Sequence, residues 1–297
     1  MQKAQIGSKL HPQAYRSESL TRQLTRVLMV RPEFFGAAEP KNAFSRQNTS
    51  IDLPLAIAQW DKLCEAFEHA GLQVLQIEPH FGLEDMCFTD SQAFVGIDRE
   101  ERAFAVPSRM LHRSRRDEVE HFTRWYSNQG YRIIDLGLEG EEFLEGAGDL
   151  IWNPDWESVW AGYGDRSTRG AVDLFASLMG EMGFAVHKLE LVDPYFYHLN
   201  LSLAPLTPNA VLIYPGAFAP ETLTQIRSLT HTLEVSREEA LGFECNGVSV
   251  NGYYITPRLS RRLELILSGH GIEPIVVELS EFQKAGGSVA SLKMLLP

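Results

Sequence analysis

Polar residues that interrupt apolar, strand-like runs collect in four segments of the chain. Glu84-Asp85-Met86-Cys87-Phe88-Thr89-Asp90-Ser91 sets carboxylates on both sides of a strand start. It reads as the wall of a cation site or as a turn ahead of an edge strand. In Phe143-Leu144-Glu145-Gly146-Ala147-Gly148-Asp149, small residues separate two acids. Small residues let a ligand approach the backbone, so Glu145 and Asp149 could flank a planar cation; an acidic turn is the alternative. Tyr195-Phe196-Tyr197-His198-Leu199-Asn200 sets one histidine among aromatic and apolar residues. An imidazole titrates near neutrality and suits general acid/base work, whereas a lone buried histidine is otherwise a core residue held by hydrogen bonds. The fourth segment, 281–291, places Gly286 and Gly287 beside the hydroxyls of Ser288 and Ser291. Backbone N–H groups could gather there, or the segment is only a glycine-rich turn.

A scaffold must bring these segments together, and one pattern recurs five times. A helical stretch ends near a glycine, a β-rich run follows, and a second short apolar run comes after a turn. The helical stretches are 55–69, 117–127, 171–182, 221–230 and 259–267. The glycines are Gly71, Gly130, Gly183 and the pair Gly269 and Gly271, and the fourth copy lacks one. The β-rich runs are 72–77, 131–136, 184–191, 233–235 and 272–279, followed by 86–95, 149–152, 199–206, 248–250 and 289–296. A strand-like run precedes each helix, at 27–30, 102–106, 158–161, 210–214 and 253–255. The helices carry apolar residues at helical spacing, as in Leu174, Leu178 and Met182. Glycine after a helix fits a C-cap, and runs such as Ile275-Val276-Val277 favour strands. A strand-helix-strand-strand unit cannot bury both faces alone, so the copies must pack on one another. Five around an axis make a closed α/β propeller whose strand ends share one mouth; a doubly wound sheet is the alternative.

Composition limits the function. The 297 residues are 44% hydrophobic and 22% charged, as in ordinary globular proteins. A net charge of −12 argues against nucleic-acid binding and favours a cationic small-molecule partner. Cys64, Cys87 and Cys245 are too scattered for a disulfide framework or a metal motif. There is no apolar signal core at the N-terminus and no run of about 18 apolar residues, so a cytoplasmic protein with no membrane contact is expected. His80 and Asp85 lie five apart without other plausible ligands, so no metal is expected. Neither a glycine-rich dinucleotide fingerprint nor a P-loop is present, and no linker interrupts the middle of the chain. A loosely ordered arm over 1–20 and a single domain over 21–297 are expected.

The four segments, in this order, resemble the amidinotransferase superfamily, which includes arginine deiminase, dimethylarginine dimethylaminohydrolase and the amidinotransferases proper. The resemblance runs from Thr25 onward. It is carried by Met29-Val30-Arg31-Pro32, Asn42, Phe88-Thr89, Glu145 to Asp149, Gly162-Tyr163-Gly164-Asp165-Arg166-Ser167, His198-Leu199, Asn246 and Glu281 to Ser291. It implies an α/β fold of the pentein type, a five-bladed propeller around a pseudo-fivefold axis. It implies a guanidino-group-modifying enzyme, a transferase or a hydrolase, working through a covalent amidino intermediate. His198 then matches the general acid/base, Glu145 the acid that grips the guanidinium, and Asp85 a second acidic contact. Arg166, and Arg115 or Arg116, match arginines that pair with a substrate carboxylate, a contact suited to a forked guanidinium. Asp90, Ser91, Asp149, Asn200 and Gly287 complete the implied binding set. No metal or organic cofactor is implied. The expected partner is a small guanidino or ureido amino acid, and a homodimer is the expected assembly.

Three positions depart from the family pattern. Ser291 stands where the family has its nucleophilic cysteine, Asn200 where the deiminase branch has an acid, and Ser91 where many relatives have Asp or Asn. A serine hydroxyl is far less acidic than a thiol, so a neighbouring cation does not ionise it at neutral pH. Slow or absent covalent chemistry is therefore expected. Ser291 is open to three accounts: an engineered replacement, a natural change that leaves an inactive ligand-binding pseudoenzyme, or a hydroxyl activated directly by His198. The changes at positions 200 and 91 weaken the case for free arginine and leave open a modified guanidine, an amidino donor with an amine acceptor, or a ureido compound such as citrulline.

Overall fold

The fivefold recurrence reappears as five three-stranded sheets in the computed structural model, which describes residues 24–47 and 50–297. The arm expected over 1–20 lies outside the described residues. In chain order the first elements are β1 (Arg26–Val30), α1 (Leu53–His69), β2 (Gln73–Ile77), β3 (Ala93–Ile97), β4 (Ala103–Pro107), α2 (Arg116–Asn128) and β5 (Arg132–Ile133). A short α3 (Gly146–Asp149) leads into β6 (Leu150–Trp152), β7 (Ser158–Tyr163), α4 (Arg169–Glu181) and β8 (Ala185–Glu190). Next come β9 (Leu203–Thr207), β10 (Ala210–Ile213), α5 (Pro220–Leu229), β11 (His231–Glu234) and α6 (Arg237–Leu241). The chain finishes with β12 (Val248–Val250), β13 (Tyr253–Thr256), α7 (Arg261–Gly269), β14 (Glu273–Val276), α8 (Ser280–Ala285) and β15 (Met294–Leu296).

The sheets are β15-β1-β2, β3-β4-β5, β6-β7-β8, β9-β10-β11 and β12-β13-β14. In each, the central strand is antiparallel to the first and parallel to the third. A helix makes every parallel crossover, as that connection requires. This settles the phase of the repeat. The fourth run of each sequence unit does not pair within its own unit but opens the next sheet. The last one, β15, returns to β1, with Leu295 opposite Val27. With no more than three strands in any sheet among the described residues, the doubly wound alternative falls.

Local chemistry explains the elements. Asp52 caps α1 by accepting from Leu55 N, and Pro54 sits in the first turn, where its missing N–H costs nothing. Trp60, Leu63 and Phe67 then recur on one face and pack with Val27 and Met29. Phe175 and Met179 of α4 do the same with Val159 and Ala161. Four of the five crossover helices are followed by a left-handed glycine, as at Gly71 (φ 85°) and Gly183 (φ 84°). In the fourth unit α5 runs through extended Thr230 straight into β11, so no left-handed residue is needed.

Several expected strands begin later than expected: β3 at Ala93, β9 at Leu203 and β15 at Met294. The residues ahead of each first strand instead close a tight turn, with an N–H bonded to the carbonyl three residues back. The pairs are Phe88 N to Asp85 O, Gly148 N to Glu145 O, Leu201 N to His198 O, Asn246 N to Phe243 O and Ser291 N to Ser288 O. Four of these turns carry Asp85, Glu145, His198 with Asn200, and Ser291, and the remaining one ends on Asn246. Among the described residues no helix is long and apolar enough to cross a membrane.

Candidate active site

Two of these turns meet at the centre of the candidate site. Glu145, fully buried ahead of α3, has its Oε2 2.7 Å from His198 Nε2. The same oxygen accepts from Arg166 Nη1 at 2.9 Å, and Oε1 accepts from Leu111 N at 3.0 Å. Burial alone would raise the Glu145 carboxyl, but Arg166 and His198 hold it well below the usual carboxylate range. An ionised carboxylate only accepts, so His198 Nε2 carries the shared proton. His198 Nδ1 faces Gly148, where an added Cβ would lie 3.1 Å away. Glycine there leaves room for the imidazole. Gly146 has φ 47°, and a Cβ would meet Ala93 O at 2.4 Å. The small residues between the two acids therefore admit the protein's own strand and imidazole.

Asp149 lies behind this pair. It accepts from Ser167 Oγ at 2.6 Å and from Leu199 N at 2.9 Å, and Ser167 Oγ in turn accepts from Glu145 N. Burial pushes the Asp149 carboxyl up to about 6. Asp90 is fully buried, takes Ser91 Oγ at 2.7 Å and Asn200 Nδ2 at 2.5 Å, and is raised by burial. Arg115 is buried and pairs with Glu118 at 3.0 Å. Arg116 is directed away, to the carbonyls of Met110 and Leu111. Asp85 carries the Lys41 ammonium at 2.9 Å. Ser291 Oγ donates to Asn246 Oδ1 at 3.3 Å. Asn246 is itself fixed by Ser288 N and by its own bond to Asn200 O.

A small cavity of about 30 Å³, room for a water molecule, joins these groups. Its wall includes Asp85, Asp90, Ser91, Arg115, Arg166, His198, Gly287 and Ser291, together with Lys41 and Tyr197. Of the residues expected from the sequence, Glu145 and Asp149 stand behind this wall and Arg116 lies off it. Asn200 lines a second cavity of about 660 Å³ with Phe94, Trp152 and Lys293, which neither His198 nor Ser291 reaches. The smaller cavity holds the convergent charges, and it is the one with the means for chemistry. Gly36, Ala37, Glu39, Lys41, Asn42 and Ser45 form part of its wall: the Lys41 carbonyl accepts from Arg166 Nη2 at 2.9 Å, and Asn42 Nδ2 donates to Ala285 O at 2.8 Å. A ligand larger than water needs the lining to move. Lys41 was not singled out in the sequence. Its only signal is its place beside Asn42 in a segment without helical or strand periodicity.

All three thiols are pushed up by burial, Cys64 to about 12. Cys87 and Cys245 are packed into hydrophobic clusters, and none of the three lines the small cavity. His80 stacks on His121 at 3.7 Å. Among the described residues no group of three or more His, Cys, Asp or Glu is placed to hold a metal ion.

Comparison with known proteins places this geometry in a family. The family model described as "N,N dimethylarginine dimethylhydrolase, eukaryotic" matches residues 31–292. The chain belongs to this family. It is similar to the N(G),N(G)-dimethylarginine dimethylaminohydrolase of Mycobacterium tuberculosis, 34% identical over 270 residues, covering 91% of this chain and 85% of that protein. An uncharacterized protein of Caenorhabditis elegans is 32% identical over 282 residues, covering 94% and 96%. The N-terminal domain of ArgZ, a cyanobacterial arginine dihydrolase, superposes with a TM-score of 0.85 at 30% identity, covering 91% of this chain and 97% of that one. That structure is a cysteine-to-serine mutant bound to substrate. The dimethylarginine dimethylaminohydrolase family and these relatives set the chain in the guanidino-modifying superfamily with a pentein-type α/β fold.

Proposed function

We propose that the chain binds a guanidino or ureido compound in the small cavity and belongs functionally with the hydrolases of its superfamily rather than the amidino transferases. The observation that carries this reading is the buried Glu145–His198 contact beside a cavity that Ser291 also lines. The five alike sheets and the β15–β1 pairing support a single five-bladed propeller domain about a pseudo-fivefold axis, with the cavity at its centre. On a guanidinium, the atom at position 291 gives its proton to solvent and bonds to the central carbon, opening one C=N bond. One C–N bond then breaks, and the departing nitrogen takes a proton from His198. Water adds to the carbon and returns a proton to His198, the bond to position 291 breaks with that atom reprotonated from solvent, and a ureido product leaves. Glu145 holds His198 and bears the head group's charge through it. No step calls for a metal or organic cofactor.

With Ser291 this covalent step is slow. Its hydroxyl is bonded to Asn246, and no hydrogen bond joins it to His198 among the described residues. That observation favours a second reading, binding without turnover. It also weighs against direct activation of the serine by His198. Calorimetric titration of the purified chain with arginine, methylated arginines, citrulline and their counterparts lacking the α-ammonium group tests the first statement. At least one binds saturably, and Glu145→Gln, checked for folding by circular dichroism, weakens it at least tenfold. Silence across the panel by folded protein would overturn the reading.

A further inference from the structure

Lys41 is placed unlike a surface lysine. Its ammonium lies 2.9 Å from Glu84 Oε1, 2.9 Å from Asp85 Oδ2 and 3.4 Å from Glu39 Oε2, and its side chain is 6% exposed. Three acceptors match the three donors of an ammonium group. Its partners are themselves set: Glu84 also accepts from Ala38 N at 3.1 Å and Glu39 N at 3.3 Å. The Lys41 carbonyl is tied to Arg166, which reaches on to Glu145. Burial disfavours the charged amine, but Asp85 and Glu84 outweigh it and keep the group protonated. Of the cavity's other carboxylates, Glu39 faces the same ammonium and Asp90 is taken up by Ser91 and Asn200.

The Asp85 carboxylate, which would receive a cationic amine, is therefore already paired from within the chain. A ligand ammonium placed on Asp85 would lie against the Lys41 ammonium, and like charges at contact distance in a buried site repel strongly. A neutral group there avoids that repulsion. We infer that Lys41 takes the place of a ligand ammonium group, so that the site selects ω-guanidino or ω-ureido acids that lack an α-ammonium. This inference rests on the guanidino or ureido reading above and narrows it to a substrate class.

The test compares arginine with 5-guanidinopentanoate, and citrulline with 5-ureidopentanoate, by calorimetry on the wild-type chain, Lys41→Met and Lys41→Met/Asp85→Asn. Wild type binds the member without the ammonium at least tenfold more tightly. Lys41→Met reverses the preference by freeing Asp85, and the added Asp85→Asn abolishes the reversal. If wild type binds the α-ammonium member as tightly or more tightly, the inference is overturned while the guanidino or ureido reading stands; this comparison holds even if the variants fail to fold. A ratio unchanged in folded Lys41→Met also overturns it. If no member of either pair binds any folded form, the broader reading falls and the inference falls with it.

Discussion

His198 Nε2 and Arg166 Nη1 meet on one oxygen of Glu145, at 2.7 and 2.9 Å, with the carboxylate fully buried. A buried ion depends on its partners: removing one charge leaves the others uncompensated at about 3–5 kcal/mol. Glu145→Gln should lower unfolding stability by about 3 kcal/mol or more. Urea denaturation checks this, and a loss below about 0.5 kcal/mol, the range of an ordinary surface change, would show that the pair is not what holds the site.

The pH response of Asp149 has the opposite sign to that of Glu145. Its carboxyl is raised by burial from 3.8 to about 6, so the folded state binds a proton more readily than the unfolded state does. Its contribution to stability is then fullest below pH 3.8 and declines as pH rises toward about 6, by about 3 kcal/mol in all. Glu145, held low, instead contributes stability above its unfolded value of 4.5 and loses it as pH falls through its depressed folded value. Carbon-13 NMR of labelled aspartate should show one carboxyl titrating near pH 6, absent in Asp149→Asn. Comparing the two proteins' urea midpoints between pH 4 and 7 should recover the falling slope. A titration near pH 4 would contradict the assignment.

Gly146 tests the turn that presents Glu145. A Cβ at 2.4 Å from Ala93 O meets backbone, which cannot swing aside as a side chain could, and φ 47° is strained for alanine. Gly146→Ala should cost about 2–5 kcal/mol, the sum of overpacking and left-handed strain. Thermal unfolding within a degree of wild type would contradict the packing described.

Much of this was legible in the chain because it rests on local rules. The helix-ending glycines Gly71, Gly130 and Gly183 mark three crossovers, and Glu145, His198 and Ser291 break apolar runs where the site lies. The phase of the repeat was not legible, since periodicity along the chain cannot tell whether a strand pairs backward or forward. Nor was the layering of the acids. Spacing alone gives Glu145 and Asp149 equal standing, and only the packing puts Asp149 on Ser167 and Leu199 behind the site. Lys41 escaped for a similar reason: its three acidic partners include Glu84 and Asp85, more than 40 residues away along the chain.

The central claim is that position 291 and His198 act on a guanidinium carbon beside Glu145. A thiol ionises far more readily than a hydroxyl and is the better nucleophile here. The direct measurement is release of ammonia or methylamine from guanidino substrates by Ser291→Cys, alone and combined with His198→Ala. The account predicts turnover that appears with the cysteine and disappears again without the histidine. A Ser291→Cys protein that binds guanidines but releases nothing, or one that keeps its rate without His198, would contradict it.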